Sequence, residues 1–177
     1  MTYQGMDEDR RFILASADEL EQYLSSAVIL WPIRGNKQPL SPGNLLFAQL
    51  RFGEASDPKV LEASSLITGI IESNRSLWEN RIQKEIPIRL NQFNNLVEEY
   101  LDRGSIDAGY ASSINVRVKL HLLLSELYHE PTVSLRKVAA LDRMIETLLK
   151  NGEFIWDEDL KGRFPREKFG YLYVTGK

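Results

Sequence analysis

Residues 57–104 read DPKVLEASSLITGIIESNRSLWENRIQKEIPIRLNQFNNLVEEYLDRG, and the periodicity of this stretch decides the fold class. Asp57 before Pro58 is a helix start: a capping carboxylate followed by the residue whose fixed φ and missing N–H suit the first helical position. Leu61, Ile67, Ile70, Ile71, Leu77, Trp78, Ile82, Ile86, Leu90, Phe93, Val97, Tyr100 and Leu101 then recur at three and four, the stripe of a helix packed along its length. Pro87 alone breaks the pattern, removing one backbone hydrogen bond at about 3 kcal/mol in a helix interior. The spacing predicts one very long helix, or two in tandem, bent near Pro87 and closed by Gly104.

The chain then turns at Ser105 into a second long segment ending at Glu130-Pro131. Val116, Val118, Leu120 and Leu122 alternate with Arg117, Lys119 and His121, a strand pattern taken alone, but the flanking residues keep helical spacing and no Gly or Pro bounds the alternation. One helix over 106–130 is expected, antiparallel to the first. Ser134 caps a further helix striped by Leu135, Val138, Leu141, Ile145, Leu148 and Leu149 and stopped by Asn151-Gly152. Residues 153–177 hold Phe154, Trp156, Phe164, Phe169, Tyr171 and Tyr173, a density of rings that disordered tails lack. This tail is expected to dock on the helices or on a second copy of the chain.

On the N-terminal side, Ser16 and Glu19 form a capping box, which places a helix start at Ser16 and leaves residues 1–15 as a flexible lead-in. Leu20, Tyr23, Leu24, Ala27, Val28 and Trp31 give that helix its apolar face, and Pro32 ends it. Three prolines and two glycines make 32–43 a loop, after which Ser41-Pro42 starts a short helix carrying Leu45, Leu46, Phe47 and Leu50. The fold class is therefore all-α: a single helical domain over 1–177, built on a long antiparallel helix pair with shorter helices and an aromatic C-terminal tail.

The chain's 177 residues, 43% apolar and 27% charged, are enough for one sizeable core without a staple. Absence of cysteine removes thiol catalysis and cysteine-ligated metals. A net charge of −3 argues against nucleic acid or an anionic membrane as partner. No signal peptide and no run of about 18 apolar residues is present, so a cytoplasmic location is expected. Phosphate loops, dinucleotide fingerprints, zinc-protease, nucleophile-elbow and kinase motifs are all missing.

Four residues remain as ligand-binding candidates. Arg34 and Lys37, in the Arg-Gly-Asn-Lys loop before a helix start, suit a phosphate or carboxylate. Arg117 and His121 lie one turn apart on the most apolar helix, where they form either a solvated stripe or, if buried with partners, the wall of a ligand cleft. Glu126 and His129 have the i, i+3 spacing of a bundle metal site but lack the second such pair, so no metal and no cofactor is expected. Two functions follow. The preferred one is a non-enzymatic scaffold or adaptor, self-associating as a homodimer because about 65 Å of helix at 1.5 Å per residue outruns a domain of this size. The other is an anion-binding protein or enzyme with a pocket between the short helices, loop 32–43 and the tail.

Overall fold

The structure, a computed structural model, describes residues 3–53, 57–129 and 131–177. The chain is mostly helical, with seven α-helices and a single two-stranded sheet among the described residues. The all-α class thus holds in its coarse form. The chain divides into two compact units, an N unit of Gln4–Glu85 and a C unit of Ile86–Lys177 joined by Tyr3.

In the N unit, α1 (Met6–Ser25) packs on α2 (Pro42–Phe52) and α3 (Pro58–Ser73), and its Phe12, Ile13, Leu20 and Leu24 are buried. It starts ten residues before Ser16. Gly5, at φ 103°, takes the left-handed conformation that leads the chain in, and Asp7, Glu8 and Asp9 occupy the first turn, where acids offset the positive end of the dipole. The acidic run expected as a flexible lead-in is thus the helix's own first turn, and Ser16 lies buried inside it.

The same helix ends early, before Pro32. Ser26 Oγ donates to Tyr23 O at 2.8 Å and accepts from Val28 N at 3.1 Å, so a side chain supplies the bonds that a further turn would have made. Trp31 then pairs with Leu40 in an antiparallel bridge that closes the 32–39 loop, with Gly35 at φ 77° at its turn. Ser41 and Asp57 cap α2 and α3 as their positions before proline predict.

The 57–104 segment forms two helices in tandem, α3 and α4 (Arg75–Arg103). The break falls at Asn74, not at Pro87. Asn74 leaves helical geometry at φ −125° and ψ 34°, and its side-chain amide donates to Ile70 O at 2.9 Å, a carbonyl that its own backbone N–H also uses. Helix α4 runs through Pro87, and the two units meet along the chain one residue before it.

The second long helix does not form. In its place the C unit has the single turn α5 (Tyr110–Ser113) and the 12-residue α6 (Asn115–Glu126), so among the described residues no helix of matching length follows α4. Glu130, where the sequence reading ends that helix, lies outside the described residues. The alternating stretch is nonetheless helical. Val116, Leu120, Leu123 and Leu124 bury one side of α6 and Val118 the other, as expected of a helix enclosed on most of its circumference.

Helix α7 (Thr132–Glu146) stops before Leu149, which opens the strand β1 (Leu149–Asn151). Its partner β2 (Val174–Gly176) lies at the far end of the aromatic segment, with Lys150 opposite Thr175. Between the strands, Phe154, Phe164, Phe169 and Tyr173 are buried. Trp156 meets Phe164 edge to face at 5.1 Å, Phe164 meets Phe169 at 5.2 Å, and Trp156 Nε1 donates to Ala111 O at 2.6 Å. No helix among the described residues is long and apolar enough to cross a membrane.

Candidate functional site

A cleft of about 670 Å³ opens in the C unit where α6, α7, β1 and the aromatic segment converge. Helix α6 supplies Arg117, α7 supplies Asp142, Ile145 and Glu146, and β1 supplies Leu149, Lys150 and Asn151. Arg166, Lys168, Gly170, Tyr171 and Val174 complete the wall.

Arg117 is the fixed point of this cleft. Its Nε donates to Asp142 Oδ1 at 2.8 Å and its Nη2 to Oδ2 at 2.9 Å, a side-on bidentate pair. The guanidinium carbon sits 4.7 Å from the Tyr171 ring centroid, so the plane is held by stacking as well as by the carboxylate. The Arg117 side chain is 13% exposed. Burial works against its charge, but the Asp142 hydrogen bonds outweigh it and hold the group above its ordinary range. Among the described residues Nη1 makes no hydrogen bond, and it is not sealed from solvent.

Tyr171 stiffens the same wall. Its carbonyl accepts from the buried Tyr110 hydroxyl at 3.0 Å, while its own hydroxyl is buried without a partner. Burial pushes both phenols well above their usual range, so neither ionises near neutral pH. Around this fixed group stand three exposed cations, Lys150, Arg166 and Lys168. Four cations thus face two carboxylates, Asp142 and Glu146.

Of the four candidates the sequence offers, Arg117 lines the cleft. His121, one turn along α6, packs its ring edge to face on Phe169 at 4.9 Å and is not part of the wall. Burial, then the charges of Arg117 and Lys168, hold its imidazole below the ordinary range. Arg34 and Lys37 belong to the N unit. Arg34 is exposed at the loop turn, and Lys37 donates to Glu8 at 2.8 Å. Lys37 lines a hollow of about 310 Å³ in which it is paired with Glu8 and Arg51 of α2 with Asp9, so these two cations already meet carboxylates. No cluster of three metal-ligating side chains occurs among the described residues.

Asp142, Lys150, Arg166, Lys168 and Tyr171 escape a reading of the sequence. They come from three segments and converge only when β1 pairs with β2. No family model, no curated protein and no solved structure matches this chain.

Proposed function

We propose that this protein binds an anionic small molecule in the C-unit cleft. The observation that carries the reading is Arg117: a guanidinium on the cleft wall, clamped by Asp142 and stacked on Tyr171, whose Nη1 makes no hydrogen bond among the described residues and is not sealed from solvent. An arginine used only for structure has no need of an accessible edge. A fixed planar donor set, by contrast, is what recognition of a carboxylate or phosphate requires. Lys150, Arg166 and Lys168 add attraction without fixed geometry, and Ile145, Leu149 and Val174 offer apolar surface to a ligand's body.

A thermal-shift series with inorganic phosphate, phenyl phosphate and benzoate tests this directly, because a ligand that binds only the folded chain raises its melting temperature. At least one of these anions is expected to stabilise the parent, and the double charge reversal Arg166→Glu with Lys168→Glu is expected to abolish the effect. Equal melting with and without every anion would overturn the reading.

A second reading keeps the self-associating scaffold. Leu61 and Leu66 on α3 are each 51% exposed, and such residues on one helix suit contact with a second copy or another protein. Sedimentation settles it: a 20.3 kDa species that dilution does not change is the result against a homodimer.

A further inference from the structure

We infer that the cleft takes an organic phosphate monoester in its dianionic form, an inference that rests on the cleft being an anion site. Three observations converge on this class.

The first is the donor geometry of Arg117. A guanidinium has five N–H donors, and Asp142 engages one on Nε and one on Nη2. Of the remaining three, one on Nη1 and one on Nη2 form the end-on fork of the same rigid plane, and the second on Nη1 points back along the side chain. That fork matches two oxygens of a carboxylate or a phosphate. A monocarboxylate has no oxygen left after the fork is filled, whereas a phosphate monoester keeps a third for Lys150 or Lys168 on the neighbouring walls.

The second is charge. Asp142 is committed to Arg117, and Glu146 is the remaining acid against Lys150, Arg166 and Lys168. Two positive charges stay uncompensated, the complement of a dianion. The third is size. A space of about 670 Å³ exceeds what a bare oxyanion fills, and Ile145, Leu149 and Val174 give it an apolar side, so the anionic group carries an organic body. A hydrophobic anion with one charge would use that side and leave the cations unmatched.

Calorimetric titration of the whole chain with phenyl phosphate, methyl phenyl phosphate, benzoate and phthalate separates these features. Phenyl phosphate is expected to bind about tenfold more tightly than its monoanionic diester and than benzoate, and more tightly than the dicarboxylate. Lys150→Met with Lys168→Met, which leaves the Arg117–Asp142 pair intact, is expected to erase the preference for monoester over diester. Arg117→Lys, its fold checked by circular dichroism, keeps the charge but loses the fork and is expected to weaken phenyl phosphate by about tenfold. Equal affinity for monoester and diester, or tighter binding of phthalate, overturns the monoester assignment while leaving the anion site in place. A phosphotyrosine peptide binding more than about tenfold tighter than phenyl phosphate would transfer the site to a protein partner and overturn the small-molecule assignment. Silence of every anion overturns both.

Discussion

The two units use a largely enclosed arginine in opposite ways. In the N unit, Arg81 and Glu85 lie one turn apart on α4 and are 4% and 0% exposed. Arg81 Nη2 donates to Leu24 O at 3.1 Å, at the C-terminal end of α1, where a cation offsets the dipole. Glu85 accepts from the Ser41 hydroxyl and from Gly43 N, each at 2.8 Å, at the N-terminal end of α2, where an anion does the same. Each charge finishes a helix, and the Nη1 of Arg81 that lacks a partner is sealed from solvent. In the C unit, Arg117 is fixed as firmly by Asp142, yet its Nη1 stays within reach of solvent on the wall of a cleft. Access separates a charge that holds a fold from one that meets a ligand, because donors held by acceptors of the fold are common to both.

Substitutions sharpen this contrast. Glu85→Ala removes two charge-assisted hydrogen bonds and strands two buried donors, so it is expected to cost about 4 kcal/mol of stability by urea unfolding. A loss below about 1 kcal/mol would mean that water reaches the α2 terminus and that the N-unit charges are not structural. Trp156→Ala follows at about 3 kcal/mol, the low end for a large aromatic because the ring is partly exposed. Its loss takes from Phe164 one of its edge-to-face neighbours, Phe169 remaining, and leaves Ala111 O without that donor. Unchanged melting of that variant would show the aromatic segment to be dispensable for the C unit.

Gly43→Ala comes next at about 2 kcal/mol, since an added Cβ would stand 2.8 Å from Glu85 Oε1, and a carboxylate buried and held by Ser41 and Gly43 can move away only by giving up those bonds. The smallest effect is one of pH. Burial, Arg117 and Lys168 hold the His121 imidazole below its ordinary range, so the unfolded chain takes up a proton more readily than the folded one. Stability contributed by neutral His121 is therefore complete above about pH 6.5 and declines as pH falls below it. His121→Gln is expected to lose less stability between pH 7 and pH 5 than the parent, and an identical slope for both would count against this placement of the imidazole.

Local chemistry was legible in the sequence, and convergence was not. Ser41-Pro42, Asp57-Pro58 and Gly104 mark helix ends in the structure because each signal is complete within a few residues. The alternating 116–122 run reads correctly as helix from its flanks. Ser16 misleads because a capping box also occurs by chance inside a helix, and Asn74 is missed because a single side-chain bond to Ile70 O ends α3 without Gly or Pro. Leu149 fits the α7 stripe, and only Val174–Gly176, more than twenty residues on, makes it a strand. The cleft shares that origin. Arg117 stands out by its apolar neighbours, while Asp142 and Lys168 gain meaning only from the fold that brings them to it.

The central claim, that Arg117 and not Arg81 is the arginine open to a ligand, is tested most directly by ¹⁵N spectroscopy of arginine side chains during titration with phenyl phosphate. The guanidinium resonances of Arg117, assigned through Arg117→Lys, are expected to shift with added ligand and saturate, while those of Arg81 stay fixed. A titration in which Arg117 does not move, or in which Arg81 moves with it, would contradict the account.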